Sequence, residues 1–272
     1  MESAGALRIA VDQGTGPSGD VPAALERLGR TARRAAGAGA DLLVGPECSI
    51  TGYAIGGRTA ELAEPADGPI GRAVQRIAAE AGIAIAYGWP ERDGDRVRNA
   101  VRLVDASGTE LAVYRKTHLY GELDRSAFAP GGEPVVQADL GGLRIGLLIC
   151  YDVEFPEAVR AHALAGTELL LVPTALMHPA TEVATALVPV RAMENQIFLA
   201  YANRCDTEGD LDYCGLSTLV GPDGAELARA GAGEELLIAE ADPAAIAAAR
   251  TGEAGYLRDR RPDLYRALTG PA

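Results

Sequence analysis

Long apolar segments are absent from this sequence of 272 residues, and its N-terminus has no basic stretch followed by an apolar run. A membrane-spanning helix needs roughly 20 predominantly apolar residues in succession. A secretory signal needs both a basic region and an apolar region. The sequence therefore predicts a protein that has no membrane anchor and that works in the cytoplasm.

Basic residues are in the minority. The chain has 25 Lys and Arg residues against 38 Asp and Glu residues, which gives a formal net charge of −13. Proteins that bind nucleic acids usually carry a basic stripe or patch that neutralises phosphates. An acidic protein is also repelled by anionic membranes. We therefore expect neither a nucleic acid nor a membrane as a partner.

Cysteine and histidine are scarce, and their spacing excludes several kinds of site. The four cysteines, at positions 48, 150, 205 and 214, are too few for a disulfide framework in a chain of this size. The three histidines, at 118, 162 and 178, lack the paired spacing of metal ligands. The sequence contains neither a P-loop nor a G-x-S-x-G elbow, and no Gly-rich motif follows a strand. We expect no metal and no organic cofactor.

Short apolar runs alternate with helical segments along the chain. The pattern predicts strands at residues 7–12, 41–45, 83–89, 99–104, 111–116, 142–150, 168–173, 197–203, 216–220 and 226–229. It predicts helices at residues 21–36, 69–81, 155–165 and 184–195, with Asp20 capping the first and Gly82 ending the second. This alternation is typical of a layered α/β fold. No segment has the composition of a linker, so residues 1–272 are predicted to form a single domain.

Three chemically distinct side chains lie where predicted strands end: Glu47, Lys116 and Cys150. Strand ends in α/β sheets commonly line the ligand crevice. Each residue taken alone is more often structural or solvated. Together, a carboxylate, an ammonium and a thiol form a set able to cleave amides, because they supply a base, an oxyanion stabiliser and a nucleophile. A Cys–His dyad that pairs Cys150 with His118 or His162 remains an alternative.

Three sequence blocks resemble the signatures of the carbon–nitrogen hydrolase (nitrilase) family. They are GPECSITGY at 45–53, YRKTHL at 114–119 and LICYDVEFPE at 148–157, and the likeness continues to YLRDRRPDLY at 256–265. The resemblance implies a four-layer α-β-β-α sandwich that forms a homodimer or a higher homo-oligomer. It also implies Glu47 as general base, Lys116 as oxyanion stabiliser and Cys150 as nucleophile, with the backbone N–H of Tyr151 as a second oxyanion donor.

Two positions depart from the family pattern. Many members carry a second active-site glutamate eight residues after the lysine, where this chain has Asp124. Because Asp is one methylene shorter, Glu122 is an alternative for that role. Cys48 replaces an apolar residue that is commoner after the first glutamate, and we interpret it as a packing variant.

The subfamily is suggested by further segments. THLYGELDR at 117–125, VPTALM at 172–177 and YCGLS at 213–217 are similar to aliphatic amidases that act on ω-amino amides, and to (R)-selective amidases. Thr174 and Ala175 in the second segment are therefore candidate substrate-binding residues. An ammonium on the substrate needs a carboxylate or an aromatic face. The candidates for that role are Tyr53, Glu122, Asp124 and Asp152.

The resemblance implies an amidase that converts a small linear amide, including an ω-amino amide, to acid and ammonia through a cysteine thioester. N-carbamoyl hydrolases, nitrilases and acyl transferases on the same fold are alternatives, because they differ in pocket geometry that the sequence does not show. A non-catalytic binding protein that has kept the fold is a third alternative.

Overall fold

The computed structural model describes residues 5–265 and residue 268. Two six-stranded sheets dominate it, with a two-stranded ribbon beside them. The strands are β1 Leu7–Gln13, β2 Leu42–Val44, β3 Ala84–Asp93, β4 Arg96–Val104, β5 Glu110–Arg115, β6 Gln137–Leu140, β7 Leu143–Leu147, β8 Leu169–Pro173, β9 Phe198–Ala202, β10 Thr207–Glu208, β11 Leu211–Asp212, β12 Thr218–Val220, β13 Glu226–Arg229 and β14 Glu235–Ala241.

Seven α-helices connect or follow these strands in the described part of the chain. They are α1 Val21–Gly37, α2 Arg58–Leu62, α3 Pro69–Ala81, α4 Gly121–Ala127, α5 Pro156–Leu164, α6 Val188–Asn195 and α7 Pro243–Thr251. As predicted, the Asp20 side chain caps α1 by accepting a hydrogen bond from the Ala23 N–H at 3.1 Å. Gly82 ends α3 in the left-handed conformation, with φ of 67°. None of the helices in residues 5–265 is both long and apolar enough to cross a bilayer.

The two large sheets are built in the same way. The first has the order β14-β1-β2-β3-β4-β5 and the second the order β13-β12-β9-β8-β7-β6. In each sheet three parallel strands lie at the centre (β1, β2 and β3, or β7, β8 and β9), and antiparallel strands complete both sides. Parallel central strands are buried on both faces, which explains their continuous apolar sequences.

The sheets face each other across a shared core, and helices cover their outer faces. Ile9 and Val101 of the first sheet and Ile145 and Leu171 of the second belong to one buried cluster, which extends to α5 and α6. A second cluster joins the outer face of the first sheet to α1 and α3. This arrangement is the four-layer α-β-β-α sandwich that the resemblance implies.

Two predicted elements have different boundaries in the structure. The strand predicted to run through Cys150 ends at Leu147, and Cys150 begins a 3-10 turn, Cys150–Glu154. The helix predicted at 184–195 starts with a wide π-helical turn, Val183–Leu187, before α6. Pro189 lies in the first turn of α6 and has no N–H to donate back along an α-helical ladder.

Candidate active site

Glu47 lies in a turn that follows β2, and contacts from both sheets hold this turn. The Glu47 N–H donates to the carbonyl of Thr174, just after β8 in the second sheet, at 3.3 Å. Cys48 adopts a φ of 46°. The turn also rests on Gly88 of β3, where an added Cβ would lie 2.5 Å from the Cys48 nitrogen. The close approach of β3 to this turn therefore requires glycine.

Lys116 follows β5 and bridges two buried carboxylates. Its backbone N–H donates to the Asn99 carbonyl at 2.9 Å. Its Nζ lies 2.8 Å from Glu47 Oε1 and 2.7 Å from Asp124 Oδ2, and all three side chains are fully buried. A buried ammonium is stable only when it is paired, so the two carboxylates hold Lys116 charged and in place.

The two oxygens of Glu47 have different surroundings. Oε1 accepts hydrogen bonds from Lys116 Nζ at 2.8 Å and from Asn99 Nδ2 at 2.7 Å. Oε2 is buried and has no hydrogen-bond partner among the described residues. Because an unpartnered buried oxygen is costly, Oε2 is suited to accept a proton from a group that enters the site.

Cys150 is the first residue of the 3-10 turn and is half-buried. Its φ of 48° lies in the left-handed region, where a residue with a side chain is strained. Thr174 and the Ala175 backbone lower the pKa of the Cys150 thiol, against the larger effect of burial, which raises it. The Tyr151 N–H is in the first turn of this helix, where backbone N–H groups have no partner within the helix.

Glu47, Cys150 and Lys116 shift one another's pKa values. Burial raises the pKa of the Glu47 carboxyl, and the nearby Asp124 adds to this, while Lys116 and Asn99 oppose it. Burial also raises the pKa of the Cys150 thiol, and so does the charge of Glu47. For Lys116, burial alone would lower the pKa, but Glu47, Cys150 and Asp124 outweigh it and raise the pKa well above its usual value. The Cys150 thiol is therefore harder to ionise than an ordinary cysteine, and Glu47 is more basic than an ordinary glutamate.

Asp124, and not Glu122, contacts the lysine. Asp124 is fully buried, and besides Lys116 it accepts hydrogen bonds from the Tyr53 hydroxyl and the Tyr120 N–H, both at 2.8 Å. Glu122 is exposed on α4. The structure therefore brings Asp124, and not Glu122, into contact with Lys116, because residues two positions apart on a helix lie on different faces.

Asp152 is fully buried and its carboxylate is saturated with donors. Oδ1 accepts from the Thr117 hydroxyl and the His118 N–H, both at 2.9 Å, and lies 2.8 Å from His118 Nδ1. Oδ2 accepts from the Tyr114 hydroxyl at 2.9 Å and from the Ile149 N–H at 3.1 Å. Asp152 therefore has no free oxygen for a substrate ammonium, and it joins the cysteine turn to the lysine segment instead.

His118, His162 and Cys48 make contacts with residues other than Cys150. His118 Nδ1 faces Asp152, and the His162 Nδ1 faces the Thr167 hydroxyl at 3.1 Å, so the described contacts pair neither ring with Cys150. Cys48 is buried, and its thiol lies 3.7 Å from Asn99 Oδ1, as a packing residue would. Within residues 5–265, no group of three or more His, Cys, Asp or Glu side chains is arranged to hold a metal ion.

Two polar residues at the site were not singled out from the sequence. Asn99 lies inside β4 and binds Glu47, and an asparagine in a buried strand is unusual enough to serve as a signal. Glu208 accepts hydrogen bonds from the backbone N–H groups of Tyr53 and Ala54, and it pairs with Arg204. It sits in a two-residue strand that no local sequence pattern indicates.

An apolar cluster borders the charged groups. Its buried members are Cys48, Tyr53, Phe128, Ala175 and Tyr213. The Tyr53 ring centre lies 5.6 Å from Lys116 Nζ. The site therefore joins an apolar wall to the set of Glu47, Lys116 and Cys150, with one unpartnered carboxylate oxygen.

Comparisons with known proteins give a consistent result. The profile of the family described as Carbon-nitrogen hydrolase matches residues 8–251. The chain is 46% identical over 265 residues to a Pseudomonas protegens protein named "Hydrolase in pqqF 5'region", covering 97% of this chain and 92% of the relative. An (R)-stereoselective amidase from Pseudomonas sp. is 36% identical over 256 residues, covering 94% and 92%.

A solved structure is also similar over nearly its full length. The crystal structure of an amidase from Nesterenkonia sp. superposes with a TM-score of 0.88 at 38% identity, covering 97% of each chain. A variant of that amidase has been solved in complex with butyramide. Another shows the acetamide moiety of fluoroacetamide added covalently at the active-site cysteine.

Proposed function

Because this chain belongs to the carbon–nitrogen hydrolase family and is therefore a hydrolase of carbon–nitrogen bonds, we propose that it is an amidase for small, uncharged linear amides. The products are the carboxylic acid and ammonia. The observation that carries the proposal is the Glu47 carboxylate, which has one oxygen held by Lys116 and Asn99 and one buried oxygen without a partner.

The reaction begins when Glu47 Oε2 takes the proton of the Cys150 thiol as sulfur attacks the amide carbon. Lys116 and the Tyr151 N–H stabilise the oxyanion that forms. The carbon–nitrogen bond then breaks, and the leaving ammonia takes the proton from Glu47. Water attacks the resulting thioester after giving a proton to Glu47, the carbon–sulfur bond breaks, and that proton returns to sulfur. The raised pKa of Glu47 favours each proton transfer to it.

Uncharged substrates fit the site better than ω-amino amides. Asp124 and Asp152 already accept donors on both oxygens, and Glu122 is exposed outside the site. The wall beside Ala175 and Tyr53 is apolar, so an ammonium placed against it would lose hydration. The butyramide complex of the similar Nesterenkonia amidase agrees with a short aliphatic substrate.

The test is ammonia release from butyramide, 5-aminopentanamide, butyronitrile and an N-carbamoyl amine, with identification of the organic product. We expect turnover of butyramide to butyrate, and a rate at least about tenfold lower for the ω-amino amide. Turnover of the nitrile or carbamoyl compound alone would overturn the amidase assignment. Transfer of the acyl group to an added amine would indicate an acyl transferase.

Cysteine variants test the catalytic assignment. We expect Cys150→Ala to abolish turnover, since no other thiol can form the thioester. Cys205→Ala and Cys214→Ala are the controls, because Cys214 Sγ lies 3.4 Å from the Leu176 carbonyl and Cys205 Sγ lies 4.0 Å from the Gln13 carbonyl. Full activity in Cys150→Ala, or loss of activity in a folded Cys205→Ala variant, would contradict the assignment.

The assembly and location are part of the same proposal. We expect a homodimer or a higher homo-oligomer in the cytoplasm. The family resemblance is the ground for this expectation, and the helical layer over the second sheet exposes two apolar side chains, Leu164 of α5 and Val190 of α6. Light scattering after size-exclusion chromatography tests it, and a monomer at micromolar concentration would contradict it.

A further inference from the structure

We propose that Asp152 is a positioning residue, which holds the strained Cys150 turn in register with the segment that carries Lys116. The proposal rests on the proposed role of Cys150 as the nucleophile. It assigns no contact with the substrate to Asp152. Its carboxylate acts through the cysteine turn on one side and the lysine segment on the other.

The contacts of Asp152 connect the two catalytic segments directly. On the lysine side, its oxygens accept hydrogen bonds from the Tyr114 hydroxyl, the Thr117 hydroxyl and the His118 N–H, all at 2.9 Å. On the cysteine side, Oδ2 accepts from the Ile149 N–H at 3.1 Å, immediately before Cys150. The donors thus flank Lys116 in one segment and adjoin Cys150 in the other.

The Cys150 turn needs such restraint because its backbone is strained. Cys150 has a φ of 48°, which is unfavourable for a residue with a side chain and persists only where neighbouring contacts over-determine it. The Ile149 hydrogen bond fixes the residue before the strained position. Relaxation of the turn would move the thiol away from Glu47 and Lys116.

Arg191 of α6 fixes the other end of the same turn. Its Nε donates to the Val153 carbonyl at 3.0 Å and its Nη2 donates to the Glu154 carbonyl at 2.9 Å. Arg191 contacts only the exit of the turn, so it does not set the distance between the turn and Lys116. Of these two restraints, Asp152 is the one that links the thiol to the lysine segment.

The carboxylate is required for this role. A carboxylate accepts on both oxygens, whereas an asparagine has one acceptor oxygen and an NH2 group that would face other donors. In Asp152→Asn, either the Tyr114 and Ile149 donors or the Thr117 and His118 donors lose their acceptor. A displacement of about 1 Å at the reacting atoms costs on the order of 100-fold in rate.

The experiment measures two properties of Asp152→Asn: steady-state amide hydrolysis, and the rate at which iodoacetamide alkylates Cys150, followed by peptide mass spectrometry. We expect kcat to fall about 10–100-fold while KM changes less than about threefold, because the loss falls on the chemical steps. We expect alkylation of Cys150 to slow about tenfold, because Glu47 and Lys116 no longer face the thiol.

Asp12→Asn is the matched control. Asp12 is also a buried aspartate, but it lies on β1 and pairs with Arg27 at 2.7 and 3.0 Å. We expect this variant to lower the melting temperature and to leave kcat and Cys150 alkylation within about twofold. If Asp152→Asn shows the same pattern as Asp12→Asn, its role is merely structural and the proposal is overturned.

A milder variant covers the case in which Asp152→Asn does not fold. Tyr114→Phe keeps the buried ring and removes one hydroxyl donor to Asp152. Tyr87→Phe is its control, since the Tyr87 hydroxyl contacts Arg102 instead. We expect alkylation of Cys150 to slow at least about threefold in Tyr114→Phe only, and equal rates in the two variants would overturn the proposal.

The alkylation assay also separates this proposal from the proposed function. If the wild-type protein hydrolyses no amide but its Cys150 is alkylated rapidly, and more slowly in Tyr114→Phe, the substrate assignment fails and the role of Asp152 stands. If amides are hydrolysed and alkylation is unchanged in both Asp152→Asn and Tyr114→Phe, the role of Asp152 fails and the amidase stands.

Discussion

Glu47 depends on Asn99 as well as on Lys116. Asn99 is fully buried in β4, and its Nδ2 holds Oε1 of Glu47 at 2.7 Å. This contact stops the carboxylate from rotating and leaves Oε2 as the free oxygen. It also stabilises the ionised form, so it lowers the pKa of Glu47 against the larger raising effect of burial. Asn99 thus affects both the direction and the basicity of the proposed base.

Replacing Asn99 tests whether it affects the pKa of Glu47. In the wild-type protein the acidic limb of the kcat/KM profile should lie above pH 4.5, the usual pKa of a glutamate, because the pKa of Glu47 is raised. Asn99→Ala removes a lowering contribution, so the limb should move to higher pH, and kcat should fall about tenfold. Asn195→Ala, a buried asparagine that binds the Arg191 carbonyl, is the control. A limb that stays in place would contradict the prediction.

At the scale of elements, the site depends on how turns follow strands. The turn after β2 carries Glu47 and lies against β3 at Gly88, where the two backbones touch. The turn after β7 carries Cys150, and within this turn Asp152 accepts a hydrogen bond from the Ile149 N–H. Both turns contain a residue with a side chain at positive φ, Cys48 and Cys150. The backbone is therefore strained beside Glu47, the proposed base, and at Cys150, the proposed nucleophile.

Gly88→Ala tests the contact between β3 and the Glu47 turn. The new Cβ would lie 2.5 Å from the Cys48 nitrogen and 3.1 Å from the Pro46 carbonyl oxygen, so the turn must shift. We expect a loss of roughly 1–3 kcal/mol in unfolding free energy and a fall in kcat of more than about tenfold. Gly37→Ala in α1, where an added Cβ meets nothing within 4 Å, should keep both values. Equal activity of the two variants in an ammonia assay would refute the expected shift.

At the scale of the whole molecule, stability depends on pH through a buried histidine. His162 lies on α5 with no exposed surface, and burial lowers its pKa from 6.5 to about 4. The unfolded chain therefore binds a proton between these pH values and the folded chain does not. Stability contributed by the neutral ring is present above pH 6.5 and is lost as the pH falls towards 4.

We expect the unfolding free energy of the wild-type protein to fall by about 2 kcal/mol more than that of His162→Gln between pH 7 and pH 5. Urea denaturation at the two pH values measures the difference. His178→Gln, which replaces an exposed histidine, should behave like the wild-type protein. If the wild-type protein and His162→Gln lose the same stability on acidification, His162 does not titrate in this way.

The candidate active site takes its residues from both large sheets. Glu47 and Lys116 follow strands of the first sheet, whereas Cys150, Thr174 and Ala175 follow strands of the second. The hydrogen bond from the Glu47 N–H to the Thr174 carbonyl joins the two. The site is therefore assembled where the strand ends of two facing sheets meet, and neither sheet alone contains it.

Most of the helices and strands followed from the sequence, and so did the proposal that Glu47, Lys116 and Cys150 act together. Continuous apolar runs, the Asp20 cap and Gly82 depend on local physics, so ten of the strands and the helices α1 and α3 were predicted within a few residues. The strands β6, β10, β11 and β14 were not predicted. The order of the blocks around Glu47, Lys116 and Cys150 indicated the family. Elements with weak patterns, such as α2, α4 and α7, were not predicted, because tertiary packing stabilises short helices more than their own propensity does.

The sequence did not show which acidic side chains are already occupied by hydrogen-bond donors in the folded protein. Asp124 and Glu122 are equally acidic in sequence, but the face of α4 buries one against Lys116 and exposes the other. Asp152 was a candidate for binding an amine. In the folded protein, however, its carboxylate accepts hydrogen bonds from three residues that lie 34 to 38 positions away in the sequence. Long-range hydrogen bonds and burial depend on how the sheets pack, and no local pattern in the sequence records them.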